Sequence, residues 1–324
     1  MPAEPRDEHA FDLLVIGDCN PDVLVLGDDL TPAFGQQEKL VDRMALVVGG
    51  SASITAVAAA RLGLRVALLA AIGDDAAGNF MLAELARAGV DTAAVAVREG
   101  LPTGMTVALS RGEDRAILTA EGAMGTLTAA DVPEGLLARA RHVHVSSYFL
   151  LEPSLGPGLP ALLAAARAAG ASTSLDTNWD PAGTWGADFF PDVLAQTELL
   201  LPNEAEALRL AAAATLPEAV ASLTKAGAAV AVKLGARGAL YADRSRQYRA
   251  APPPVSPVDT TGAGDCFNAG LLAGLLRGFE PPEALALGCA TGAASTQGIG
   301  GTGRSPELTA ALDLSRDVAI RSGS

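Results

Sequence analysis

The sequence predicts an α/β fold, a mainly parallel sheet with helices on both faces. Short continuous apolar runs alternate with longer Ala- and Leu-rich runs from residue 11 to residue 313. No internal repeat or long linker interrupts the alternation. Polar residues collect just past the apolar runs, at the strand ends where ligands of such sheets gather.

Composition narrows the function. The 324 residues suffice for one large domain. Hydrophobic residues make up 49% and aromatics only 4%, so Ala, Leu and Val must fill the core. A net charge of −14 argues against a nucleic-acid surface, which needs a basic face. Residues 1–10 and 314–324 read as loose termini. No secretory segment follows residue 10. Met44 to Ala60 is uncharged, but Gly49-Gly50-Ser51 breaks it and it falls short of a membrane span. Cys19, Cys266 and Cys289 are too scattered for a disulfide framework or a zinc site, so a reduced, cytoplasmic setting is expected.

The first strand is Phe11 to Gly17, an apolar run ended by glycine. Asp18, Asn20 and Asp22 follow it, as turn residues or as ligands. Residues 23–46 carry short apolar stretches suited to a small flap. Gly49-Gly50 opens an Ala-rich helix that stops at Gly63. Arg65 to Ile72 is a second buried strand, and Asn79 to Ala88 an amphipathic helix. Val90 to Val97, Met105 to Ser110 and Ala116 to Ala120 read as strands, with a turn at Arg111-Gly112-Glu113-Asp114. His142 and His144 alternate on a strand. With only His9 besides them, a metal site there is disfavoured. A helix from Pro160 to Ala169 and a strand from Ser172 to Leu175 lead to Asp176-Thr177-Asn178-Trp179-Asp180.

Thr197 to Leu201 is a further strand. Asn203 and Glu206 after it have the spacing of a capping box. Ala228 to Val232 is a strand followed by Lys233, Gly235 and Gly238, which alone would make a hairpin. The chain then reaches Asp259-Thr260-Thr261-Gly262-Ala263-Gly264-Asp265-Cys266-Phe267-Asn268-Ala269-Gly270. Prolines hold the preceding segment out of a helix, so a helix is expected to start near Gly262. Gly262, Ala263 and Gly264 would present free amides at its N-terminus, an anion site. Asp265 in the same turn is placed to take a proton from a hydroxyl attacking that anion. A helix end lowers a carboxyl pKa, so Asp265 is expected to be ionised at neutral pH. Glu283 to Ser295 is a last helix, and Gly298 to Gly301 a turn.

The Asp259–Gly270 string resembles the second signature of the ribokinase-like (PfkB) carbohydrate kinases, D-T-x-G-A-G-D before a small-residue helix. Gly49-Gly50 through Gly63 is similar to the family's other signature, G-G-x-x-x-N-x-A with R-L-G at the helix end. The resemblance covers roughly residues 11 to 313. It implies a three-layer αβα sandwich with a small β-sheet lid drawn from about residues 20–47 and 92–122. It implies ATP-dependent phosphorylation of a sugar or related polyol. Asp265 would be the base and Gly262, Ala263 and Gly264 the anion hole. Asp22 and Asn20, with Gly49, Gly50 and Asn178, would bind the acceptor. Asn203 and Glu206 would order Mg2+ and phosphate, Glu206 through water. Lys233, Gly235 and Gly238 would lie along ATP. Asp259 and Thr261 border a K+ site in many members. Lids of this family often pair between subunits, so a homodimer is implied. Two departures stand out: Ile54 where the family has Asn, and Asp180 where it often has Arg. They keep open a nucleoside kinase and a non-catalytic sugar or nucleotide sensor.

Overall fold

The computed structural model describes residues 9–111, 114–185 and 190–323. The expected tail over residues 1–8 and the turn residues Gly112 and Glu113 lie outside them. The first half contains strands β1 (Leu13–Ile16), β2 (Asn20–Leu26), β3 (Arg43–Gly49), β4 (Val66–Gly73), β5 (Val95–Arg98), β6 (Met105–Arg111), β7 (Asp114–Ala120) and β8 (His142–Val145). Helices α1 (Ser51–Arg61), α2 (Ala76–Arg87), α3 (Tyr148–Leu155) and α4 (Leu159–Ala168) join or follow them. The second half contains β9 (Ser172–Leu175), β10 (Leu199–Leu200), β11 (Ala229–Lys233), β12 (Ala239–Ala242), β13 (Gln247–Ala251) and β14 (Ala319–Gly323). Its helices are α5 (Phe190–Ala195), α6 (Glu204–Leu210), α7 (Leu216–Ala226), α8 (Ala263–Leu276), α9 (Pro281–Ser295) and α10 (Leu308–Ser315).

The large sheet runs β14-β13-β12-β11-β10-β9-β8-β1-β4-β5. From β11 to β5 all pairings are parallel; β12, β13 and β14 add an antiparallel edge. Strand β1 is buried throughout, and alternate residues feed two cores. Leu13 and Val15 join α1, α2, α8 and α9 on one face, while Leu14 and Ile16 join α3, α4 and α7 on the other. That is the three-layer sandwich. The chain leaves β1 toward β4 and returns to β8 on its other side, so a crevice forms at the carboxyl ends where strand order reverses.

A separate four-stranded sheet, β3-β2-β6-β7, grows out of the end of β1. Two sequence expectations are corrected here. The strand near Val90 to Val97 is not part of this smaller sheet: β5 pairs in parallel with β4 at the edge of the large one. Helix α2 returns the chain beside β4, the ordinary crossover for a parallel neighbour. Nor are residues 314–323 loose, since α10 ends at Ser315 and β14 pairs with β13 from Ala319 to Gly323. An exposed edge strand lacks the apolar run that marks a buried one, which is why the pattern gave no signal.

Among the described residues one helical stretch, Tyr148–Ala168, is long and apolar enough to cross a membrane. Gly156, Pro157 and Gly158 divide it, and Tyr148, Leu151, Leu159 and Leu163 lie in the core.

Candidate active site

Helix α8 starts where the sequence predicts, with Gly262 as its N-cap in the left-handed region (φ 72°). A Cβ on Gly262 would come within 2.4 Å of the Gly301 Cα, so no larger residue fits without displacing that loop. Asp259 staples the two loops together. Its Oδ1 accepts from the Thr261 amide (2.9 Å) and hydroxyl (2.7 Å), and its Oδ2 accepts from the Gly300 amide (2.8 Å). Ala263 spends its amide on the Thr260 carbonyl. Gly264 and Asp265 stand in the first helical turn, where amides have no partner within the helix. The expected cradle is therefore narrowed to its Gly264 end.

Asp265 is buried, and the Ser51 hydroxyl donates to its carboxylate. Burial first, then the carboxylates of Asp176 and Asp18, push its pKa well above the usual range; Lys233 and Ser51 pull the other way. The expectation of a depressed pKa is overturned. A helix end contributes a fraction of a charge, whereas removing a carboxylate from water costs far more.

On one side of Asp265 lies a charged group, with Asp176 and Lys233 at its centre. Lys233 Nζ donates to Asp176 Oδ2 at 2.6 Å, and Asn268 Nδ2 donates to the same oxygen. Lys233 Nζ also lies 3.7 Å from where a Cβ on Gly264 would stand. Asn203 pairs with Lys233 in a parallel bridge, so the start of α6 adjoins the end of β11. The capping box forms: the Asn203 amide donates to Glu206 Oε2 (2.8 Å), and Asn203 Oδ1 accepts from the Glu206 amide (2.9 Å). Burial, followed by Asp176, pushes Glu206 up to about 7. Asn268 Oδ1 is buried without a hydrogen-bond partner. Among the described residues no cluster of three or more His, Cys, Asp or Glu could hold a metal alone. Glu206, Asn203 and the open Asn268 oxygen fit an ion such as Mg2+ that takes most ligands from phosphate and water.

On the other side lies a hydroxyl-rich group. Asp18, at the end of β1, accepts from the Ser51 (3.0 Å) and Ala52 (2.9 Å) amides and so caps α1 from a distance. Asn178, itself left-handed (φ 55°), donates to the hydroxyls of Ser51 (2.8 Å) and Ser147 (2.9 Å). Asn20 donates to Asp22 Oδ1 and to Thr106 Oγ1, both at 3.2 Å, tying the start of β2 to β6. A Cβ on Gly49 would meet Asp22 Oδ1 at 1.9 Å, so only glycine lets Asp22 lie there. Gly50 is the N-cap of α1.

The remaining residues take these places. Lys233 belongs to the polar centre, and Gly235 and Gly238 form the turn that follows it into β12, where the Ala250 carbonyl lies close against Gly238. Ile54 packs under the Gly262 and Gly301 backbone, so it supports the start of α8. Asp180 turns into its own loop, accepting from the Ala182 amide (2.8 Å), the Thr184 hydroxyl (3.1 Å) and the Trp185 amide. Its acidity therefore says little about the acceptor. Asp18 was named only as a turn residue or a ligand, and Asp176, Ser147 and Asn268 were given no role. Asp176 sits at a strand end, and Asn268 follows Asp265 by three positions on one helix face; both signals were available. A cavity of about 200 Å3, lined by His142, Ser172, Tyr241 and Leu272, lies at the opposite end of the strands.

The chain is similar to known proteins over most of its length. The profile of the pfkB family carbohydrate kinases matches residues 10–308. Fructoselysine 6-kinase of Escherichia coli (strain K12) is 29% identical over 276 residues, 84% of this chain and 96% of that protein. 2-Dehydro-3-deoxygluconokinase of Bacillus subtilis (strain 168) is 30% identical over 295 residues, covering 85% and 90%. An E. coli protein described as ribokinase II, solved with ATP and Mg2+, superposes with a TM-score of 0.83 at 25% identity, covering 94% of this chain and 99% of that one.

Proposed function

The chain belongs to the pfkB family of carbohydrate kinases, and on that premise we propose that Asp265 and the start of α8 transfer the γ-phosphoryl group of ATP to a hydroxyl of a small sugar. The observation that carries this is the meeting of a buried carboxylate, open helix-start amides and a lysine at one strand-end crevice.

The acceptor hydroxyl attacks phosphorus as its proton passes to Asp265. The bond from phosphorus to the bridging oxygen breaks, and its electron pair leaves with ADP. Burial raises the Asp265 pKa, which makes its carboxylate a stronger base than an ordinary one. The Gly264 and Asp265 amides stabilise the phosphoryl oxygens. Glu206 and Asn203 would order Mg2+, which when bound neutralises phosphate charge. Asp22, Asn20 and Asn178 would hold sugar hydroxyls, with Gly49 and Gly50 giving them room. The residues named on this wall include no cation, which suits a neutral sugar better than a sugar acid or phosphate. Ile54 lies beneath the anion loop, so it gives no support to a wider nucleoside pocket. K+ near Asp259 and Thr261 would act on loop order, since the Asp259 carboxylate is already engaged.

The smaller sheet would serve as a lid and as a dimer surface. Leu46, Val23, Val107 and Leu118 are cross-strand neighbours on the face opposite Asp22, an apolar row across all four strands. Three buried free cysteines accord with a reducing, cytoplasmic setting.

The test is ADP release with Mg-ATP and a panel of neutral sugars, aminated sugars, sugar acids and nucleosides. Turnover on a neutral or aminated sugar is expected. ADP release with none of the panel would reject the reading.

A further inference from the structure

We infer that Lys233 is a catalytic residue of the phosphoryl transfer, and that Asp176 and Asn268 are positioning residues that keep its ammonium at the transfer point. This deepens the proposed kinase reading and rests on it.

Lys233 and Asp176 meet across an unusually long reach. Asp176 follows β9 and Lys233 ends β11, yet β10 lies between them. Neighbouring strands stand about 4.8 Å apart, so the pair spans two such spacings across the sheet's carboxyl end. Strand pairing alone does not call for it. The lysine stem crosses the end of β10 and runs against Gly264, with Cδ at 3.4 Å and Nζ at 3.7 Å from the position of a Cβ there. A Cβ on Gly264 would thus be in contact with the lysine stem and its ammonium, so the ammonium lies beside the first turn of α8. A phosphoryl group seated on the amides of that turn would meet the ammonium directly.

Donor counting supports this. A lysine ammonium has three N–H donors, and among the described residues Lys233 makes one hydrogen bond, to Asp176. Two remain for phosphoryl oxygens without any bond being broken. Asp176 is shared: Asn268, one turn after Asp265 on α8, donates to the same oxygen. The aspartate thus links the end of β11 to the helix that carries the base. It also keeps the ammonium from pairing with Asp265, whose carboxylate must stay free for the proton. In the transfer Lys233 gives no proton. It donates hydrogen bonds to the non-bridging oxygens, while the O–P bond forms and the bridging bond breaks as above. A buried ion pair is weak evidence for a stability role, because desolvation offsets its attraction.

The chain has only three lysines, Lys39, Lys225 and Lys233, so the unmodified protein can be tested. With 15Nζ-lysine, the buried resonance is expected to move on adding Mg2+ with β,γ-imido-ATP and to move less with Mg-ADP. The same shift with both would overturn the inference. Lys233→Gln is expected to lower kcat by about 10²–10³, with the Kd for ATP changed only a few-fold. The paired variant Lys233→Met with Asp176→Leu removes both charges and is expected to fold, bind ATP and remain inactive. If that paired variant turned over normally, the ion pair would be structural only. For Asp176→Asn we expect a lower kcat with unchanged sugar KM; a change in stability alone would remove its positioning role. Inactivity of the wild type on every sugar would instead sink the kinase reading.

Discussion

Two buried polar networks lie in the same sheet and behave oppositely. In the middle, Ser172, His142, Ser174, His144 and Ser146 form a chain with contacts of 2.6 Å, 2.6 Å, 2.7 Å and 2.9 Å. All four imidazole nitrogens have partners, and burial pushes His142 down to about 3 and His144 to about 4, so both stay neutral. At the carboxyl end, Asp265 and Glu206 are pushed up, Lys233 has donors to spare, and Asn268 Oδ1 has no partner. The first network is closed and the second is open. A closed network specifies a core; an open one costs stability and is ready for a ligand.

Breaking the open network is expected to have the largest effect on turnover. Gly262→Ala forces a Cβ into the Gly301 backbone and displaces the cradle, and a fall of about 10² in kcat is expected from lost oxyanion donors. Steady-state kinetics beside a thermal melt would check it; unchanged kcat in a folded variant would count against the cradle.

Cutting the closed network should do the reverse. Ser174→Ala strands two imidazole nitrogens and is expected to cost about 1–3 kcal/mol, read by denaturant unfolding. Its kcat should match wild type. Lost turnover at full stability would mean the histidine chain takes part in the chemistry.

The pH dependence sharpens the contrast. Glu206 is raised from 4.5 to about 7 in the folded state, so the folded chain holds the extra proton between those values. Its contribution therefore makes stability fall as pH rises through that window, and the fall ends above about 7. Glu206→Gln should flatten this part of the curve for the ligand-free protein. A slope identical to wild type would mean Glu206 does not titrate there. The smallest effect is expected at the smaller sheet. Leu46→Asp should shift a dimer to monomer by light scattering and raise the sugar KM only a few-fold.

The fold was legible where burial writes itself into sequence. Strands β1 and β4 are buried on both faces and read as unbroken apolar runs. Strand β14 is mostly exposed and has no continuous apolar run, so it could not be read that way. The site was legible where it is contiguous, from Asp259 to Gly270. The Lys233–Asp176 pair was not, because only the crossing of β10 brings its members together. The Asp265 pKa was misjudged because local sequence reveals the helix end but not the depth of burial.

The most direct measurement is turnover and ATP affinity of Asp265→Asn with whichever sugar the wild type uses. A loss of at least about 10² in kcat, with ATP binding retained, is the predicted result. Near-normal turnover in the folded variant would contradict the account.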